Sequence, residues 1–389
     1  MVLQSQYTLS SFARDKLKQF VSLINDYLYN YWQSKKQDLL HHTLFEQSQT
    51  IQSIATEMID HIMEHNSRPA KRLRASLIRY GYQLIKGLPI DDIICHNLLT
   101  TGASIELIHT GLLIHDDFQD QDSMRRGLPT THKHYEQYAR INGLLGDHKH
   151  FGASIAINSG DIALTFGYQL LSQSGRDSHL LVSVLNTMFD GIIYTGFGQT
   201  LDVLLEHSQN VSESMIYDLH HSKTGVYTYL TPLLIGCQLA GTHIHNQPVL
   251  IDKLKTYAIN CGIAFQLQDD VIGLFGDEAK TGKSAYSDIK EGKKTLLILK
   301  TLELCSESEK ETIRGLWGNH DLTLEQAECV RDIVKSSGAL DYSYFKASEY
   351  ALRAKQIIQG LRSTDWGLDY EALDYLEGIA EYMGIKREH

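Results

Sequence analysis

Two acidic segments stand about 150 residues apart, each followed by basic residues in a set order. The first reads Asp116-Asp117-Phe118-Gln119-Asp120 and leads into Arg125-Arg126-Gly127. The second reads Gln266-Leu267-Gln268-Asp269-Asp270 and leads into Lys283 and Lys293-Lys294-Thr295. Asp116 and Asp120 are four residues apart and project from one helix face, where like charges repel by roughly 0.2–0.5 kcal/mol. A hard cation offsets that repulsion. Magnesium prefers oxygen ligands and takes one or two carboxylates together with substrate phosphates. Asp116 and Asp120 are the candidate ligands, with Asp117 in support; Asp269 and Asp270 are their counterparts in the second segment. A lone acidic helix end is more often solvated surface. This one caps the apolar run Leu107 to Ile114, interrupted only by His109, Thr110 and Gly111.

Cations surround these carboxylates in the sequence: Lys71, Arg72 and Arg74 before them, Arg125 and Arg126 after the first, Lys223 between them, Lys283 and Lys293 after the second. Guanidinium groups bind phosphate in bidentate fashion and do not lose their proton. Each cation alone is ordinary surface; as an ordered set around two acidic segments they point to a diphosphate held through magnesium. No Ser-His-Asp or Cys-His arrangement suggests a protein nucleophile.

The elements that must position these groups read as helices. The chain has 389 residues, 42% of them hydrophobic, and only five prolines. Apolar residues recur at helical spacing over 12–35, and helices are expected at 51–65, 68–86, 91–119, 151–173, 178–205, 212–220, 225–240 and 249–275. Arg68-Pro69 suits the start of the third. The segment 123–150 reads as a loop region with at most short helices, 276–295 as a second loop, and 296–383 as peripheral helices. The expectation is one all-α domain over residues 1–389, a single helical bundle with a central cavity between the two Asp-rich helices. A net charge of −11 argues against nucleic acid as a ligand. Five scattered cysteines fit reduced thiols in the cytoplasm. No signal peptide and no transmembrane segment are expected.

These blocks resemble the trans-isoprenyl diphosphate synthases, or polyprenyl synthetases, from about residue 15 to residue 387. The family motif DDxxDxxxxRRG is matched by Asp116, Asp117, Asp120, Arg125, Arg126 and Gly127. The second motif is matched by Phe265-Gln266, Asp269-Asp270, Asp277, Gly282-Lys283, Asp288-Ile289 and Glu291-Gly292-Lys293 through Thr295. Gly198-Gln199 with Asp202, Lys223-Thr224 and Lys71-Arg72 with Arg74 are further signatures. Ala70 and Ala75 stand where the family usually has Gly and Pro. Gly146, Asp147, Phe151 and Gly152, in a long segment 140–152, are similar to actinobacterial-type geranylgeranyl diphosphate synthases.

The resemblance implies head-to-tail condensation of isopentenyl diphosphate with an allylic diphosphate by a homodimer. It implies about three Mg²⁺ ions on Asp116, Asp120 and Asp269, with Asp117 and Asp270 in support. Arg125, Lys223 and Lys283 would add charge around the allylic diphosphate. Thr224, Gln266 and the Lys223 carbonyl would face the allylic cation. Isopentenyl diphosphate would meet Lys71, Arg72, Arg74, His109 and Arg126, and the tail with Lys386 and Arg387 would either cover it or stand as an exposed basic tail. In this family, aromatic residues four or five positions before the first aspartate stop chain growth early. Those positions here are Leu112 and Gly111, with Ile108 and Ile105 deeper, so a C20 product is favoured over C15 or longer ones. A class I terpene cyclase would lack Arg-Arg-Gly, and a regulatory subunit would usually lack one acidic motif.

Overall fold

The computed structural model describes residues 8–40, 48–174, 177–241, 247–276, 286–319 and 321–385, with the side chains of Leu40 and Ser287 undescribed. Among these, every regular element is helical except one two-stranded ribbon. They group into two compact units, one of residues 17–76 and 90–177, the other of residues 1–16, 77–89 and 178–389.

The first unit contains most of α1 (Leu9–Leu40), then α2 (Gln49–Ser67), α4 (Asp92–Gln119), α5 (Thr131–Ile141) and α6 (His148–Ser172). Its core packs Trp32 of α1, fully buried, edge-on to Phe166 of α6 at 5.7 Å. The indole Nε1 donates to Asn66 Oδ1 at 3.0 Å, so this large residue is buried with its donor satisfied. Ile24, Leu28, Ile62 and Leu107 fill the same cluster. Helices α4 and α6 approach closely through glycine: a Cβ on Gly111 would lie 2.6 Å from the Gly160 carbonyl, and one on Gly167 would lie 2.5 Å from Ile108.

The second unit is built on α7 (Ser178–Glu206), α10 (Pro248–Phe275) and a continuous helical run between them. That run is α8 (Glu213–Leu219), a π-helical segment (His220–Leu230) and α9 (Thr231–Leu239). Short helices α11 to α14 follow (Ser287–Glu291, Leu296–Leu304, Glu307–Leu316, Leu324–Ser336). Then come α15 (Ala339–Arg362) and α16 (Tyr370–Gly384). Tyr257 of α10 donates its hydroxyl proton to the Leu376 carbonyl at 2.8 Å, tying α16 down.

Three elements differ from the sequence expectation. Helix α3 (Leu73–Lys86) begins at Leu73, not Arg68, because Arg68 ends α2 and Arg72 takes a left-handed φ of 48°. Helix α5 lies inside the expected loop 123–150, held by only four buried residues, Thr131, His132, Tyr135 and Ala139. Where a break was expected near 221–224, the chain continues as π-helix. By length and composition alone α7 is apolar enough to cross a membrane, and Asp190 and Asp202 interrupt it, as the absence of an uncharged apolar stretch in the sequence requires. Gly191 and Gly198 of α7 pack directly on the run that contains the π segment, against Thr231 and the Lys223 backbone.

Candidate active site

In the first unit, the acidic motif forms the last turn of α4, and Asp120 caps it with its backbone N–H on the Asp116 carbonyl at 2.8 Å. The two aspartates on the shared face, Asp116 and Asp120, are half-buried, whereas Asp117 is fully buried. The Arg125 guanidinium binds Asp117 and reaches Asp116 Oδ2 and Asp122 Oδ2, each at 3.3 Å. Burial alone would raise the Asp117 carboxyl; Arg125 and His65 outweigh it and hold Asp117 below the usual carboxylate range. Burial likewise opposes charge on Arg125, and Asp117, Asp116 and Asp122 overcome it. The remaining oxygen, Asp117 Oδ2, faces His65 Nε2 of α2 at 3.6 Å, with both groups buried.

The Arg-Arg-Gly sequence forms the ribbon's tip. Arg125 pairs with Leu128 and Met124 with Pro129, leaving Arg126 and Gly127 as a two-residue turn at φ 54° and 80°. Left-handed backbone at both central residues is what a tight hairpin of this kind requires, and glycine supplies it at Gly127 without strain. The strand position sends Arg125 to the carboxylates. The turn position puts Arg126 beside the cations Arg72 and Arg74 and the imidazole of His109. Burial, then Arg125, Arg72 and Arg74, push Arg126 down to about 10, and burial with the same arginines and Arg126 holds His109 neutral, well below its ordinary value. Cations crowded in this way favour a polyanion among them.

Within that group the predicted residues have different tasks. Arg72 is buried, with Nη1 on Glu106 Oε2 at 3.2 Å, Nη2 on the Asn66 carbonyl at 2.6 Å and Nε on Asn25 Oδ1 at 3.0 Å. Its guanidinium is bound on every side by the protein. Lys71 and Arg74 are half-buried. The chain-length positions also divide. Gly111 and Ile108 lie on the face of α4 that packs on α6, and Ile105 is fully buried, while Leu112 is half-buried. Gly111 therefore meets Gly160 and Leu164 rather than open space.

In the second unit, Thr224 donates to Gln266 Oε1 at 2.8 Å, and Gln266 Nε2 donates to Asp270 Oδ1 at 3.1 Å. Asp270 is buried and its Oδ2 faces His220 Nε2 at 3.4 Å; Asp269 is half-buried. Lys223 Nζ binds Asp202 Oδ2 at 2.7 Å. Lys293 is half-buried, just past Gly292 at φ 75°, with its backbone N–H on the Asp288 carbonyl. Two glycines permit this arrangement. A Cβ on Gly262 would lie 2.2 Å from Gly225, and one on Gly198 would lie 2.6 Å from the Lys223 backbone. Lys283, Asp277 and Gly282, and Lys386 and Arg387 of the tail, lie outside the described residues.

Four residues of this architecture lie outside the sequence motifs. Arg68 donates to the Arg125 carbonyl at 3.0 Å, the Pro129 carbonyl at 2.9 Å and Glu64, clasping the ribbon. Glu106 neutralises Arg72 within the core. His65 and His220 face the two buried aspartates. Of these only His220 offered a hint, lying three residues, about one helical turn, before Lys223.

The polyprenyl synthetase family model matches residues 56–335. A geranylgeranyl diphosphate synthase of Sulfolobus acidocaldarius is 35% identical over 277 residues, 71% of this chain and 77% of that one. A short chain isoprenyl diphosphate synthase of Methanothermobacter thermautotrophicus is 30% identical over 343 residues, 88% of this chain and 94% of that one. A geranylgeranyl pyrophosphate synthase of Corynebacterium glutamicum, solved with isoprenyl diphosphate and magnesium, superposes with a TM-score of 0.80 at 30% identity. That superposition covers 97% of this chain and 99% of that one. With both acidic motifs, the Arg-Arg-Gly turn and the Lys-Thr segment in place, the chain belongs to the polyprenyl synthetase family.

Proposed function

We propose that this chain is a trans-prenyltransferase that condenses isopentenyl diphosphate with an allylic diphosphate and makes geranylgeranyl diphosphate (C20). The observation that carries the reading is the division of labour around the Arg-Arg-Gly turn. One arginine is neutralised by carboxylates and the next is left among cations. That division offers one place for a metal-bound diphosphate and another for a diphosphate held by cations alone.

The donor set suits magnesium. Asp116, Asp120 and Asp269 present half-buried carboxylates. Among the described residues no three His, Cys, Asp or Glu side chains form a ready cage. This fits an ion that takes one or two carboxylates plus phosphate oxygens. Asp116, Asp120 and Asp269 would hold about three ions, with Asp117 and Asp270 in support. Bound Mg²⁺ would supply charge neutralisation on the leaving diphosphate. Arg125, Lys223, Lys283 and Lys293 add positive charge there. Arg126, Arg74, Lys71 and the neutral His109 hold isopentenyl diphosphate, and Arg72, bound to Glu106, Asn66 and Asn25, adds its charge beside them. The allylic C–O bond breaks, and Thr224, Gln266 and the Lys223 carbonyl offer dipoles to the carbocation. The isopentenyl double bond attacks that carbon, and the proton then lost passes to the released diphosphate.

A homodimer belongs to the same proposal. Helix α7 exposes Phe189, Ile193, Tyr194, Phe197 and Leu204, the last two 68% and 59% exposed, an apolar face suited to a second copy. All five cysteines are free thiols, which supports a cytoplasmic site of action.

The test is incubation of the purified chain with Mg²⁺, isopentenyl diphosphate and each of the C5, C10 and C15 allylic diphosphates, with products resolved by length. A C20 limit supports the reading. A C15 limit or longer products correct the length alone. No product with any primer overturns the activity and leaves a regulatory subunit.

A further inference from the structure

The same pairing occurs once in each unit. Both acidic motifs contain adjacent aspartates, and in both the first is half-buried while the second is buried. In both, a buried imidazole from a preceding helical segment faces the second aspartate through Nε2: His65 to Asp117 at 3.6 Å and His220 to Asp270 at 3.4 Å. The other oxygen of each aspartate is already engaged, by Arg125 in one case and by Gln266 in the other. The facing oxygens, Asp117 Oδ2 and Asp270 Oδ2, are buried and make no hydrogen bond of ordinary length and angle. A carboxylate oxygen in that position is costly unless a donor holds it, and the imidazole is the group aimed at it.

We propose that His65 and His220 are positioning residues for the two metal-binding motifs. Each directs an Nε2–H at the buried aspartate and fixes its carboxylate, so that the adjacent aspartate, Asp116 or Asp269, keeps the orientation that takes a divalent cation. This rests on the diphosphate-metal reading above. Without His65, Arg125 is the one strong partner left to Asp117, and its fork is drawn away from Asp116 and Asp122. Without His220, Asp270 swings on Gln266, and the Thr224–Gln266 bond moves with it. Partners of this kind, one step removed from a metal, typically alter metal affinity 10–100-fold.

The test uses the full chain and reads metal binding apart from turnover. Thermal unfolding is followed across a Mg²⁺ titration at saturating inorganic pyrophosphate. His65→Gln and His65→Asn are compared, and the same two substitutions at His220. The glutamine amide reaches the place of Nε2; the asparagine amide reaches only that of Nδ1. Each asparagine variant should need about tenfold more Mg²⁺ for the half-maximal shift, and each glutamine variant should recover most of that loss. Equal effects of Gln and Asn, or a Mg²⁺ dependence unchanged in both, would overturn the proposal and leave the histidines as packing. The two positions are scored separately, so a variant that does not fold at one leaves the other to decide. If pyrophosphate with Mg²⁺ fails to stabilise the unsubstituted protein, the diphosphate reading falls first.

Discussion

Arg68 Nη1 donates to the carbonyl oxygen of Arg125 at 3.0 Å, so one arginine holds the backbone from which another reaches the carboxylates. Arg68 also binds the Pro129 carbonyl on the opposite strand and Glu64 on its own helix, and it is 4% exposed. A lysine carries the charge but cannot span two carbonyls and a carboxylate from one nitrogen. Arg68→Lys should therefore cost about 2–3 kcal/mol of stability. It should also lower turnover about a hundredfold through displacement of Arg125. Chemical denaturation and steady-state rates check this; lost stability with unaltered turnover would show the clasp to be structural only.

Gly262 and Gly360 are both helical glycines, yet substitution should act in opposite directions. A Cβ at 262 would lie 2.2 Å from the Gly225 Cα, backbone against backbone, with no side chain able to yield. Gly262→Ala should cost about 1–3 kcal/mol and disturb Thr224, the residue before Gly225, whose carbonyl carbon would lie 3.3 Å from the added Cβ. At Gly360, on α15, nothing lies within 4 Å of the added carbon. Gly360→Ala should stabilise by about 0.5–1 kcal/mol. Equal thermal midpoints for the two variants would refute the close-approach argument.

That contrast marks what the sequence could disclose. Asp116, Asp120 and Arg125-Arg126-Gly127 are legible because carboxylates sharing a helix face and a tight turn each demand particular residues at particular spacing. Gly262 and Gly360 look alike in sequence, because the difference lies in the facing helix. His65 is 52 residues before Asp117, and no periodicity links them. Arg68 reads as part of a helix start because Pro69 follows it; the left-handed Arg72 that delays the helix to Leu73 carries no glycine to announce it. Helix α5 was hidden for a related reason. It is polar over most of its surface and is held by a few side chains, among them His132 and Tyr135.

Chain length should respond to Leu112 and not to Gly111. Leu112 is half-buried, one turn before Asp116, and is not at the glycine contact between α4 and α6. Leu112→Phe should shorten the main product by at least one isoprenoid unit. Gly111 packs against the Gly160 carbonyl and Leu164, so Gly111→Phe should fail by unfolding. Product chromatography beside thermal denaturation separates the two; a stable Gly111→Phe enzyme with short products would place the pocket wall at 111.

Acid should destabilise the protein in part through His61. This imidazole stacks on His134 at 4.2 Å and shares a 3.0 Å hydrogen bond with Thr131 Oγ1. Burial, and then the nearby His134, His65 and Arg68, push it down to about 2 from 6.5. The folded chain refuses a proton that the unfolded chain accepts below pH 6.5. The stabilisation is therefore complete above that value and is lost progressively as pH falls toward 2. One such group contributes a slope of about 1.4 kcal/mol per pH unit. His61→Gln retains a partner for Thr131 and does not titrate. Between pH 7.5 and pH 5 the wild type should lose about 2 kcal/mol more unfolding free energy than this variant. Urea denaturation at the two pH values measures the difference, and parallel losses would mean that His61 remains charged in the folded protein.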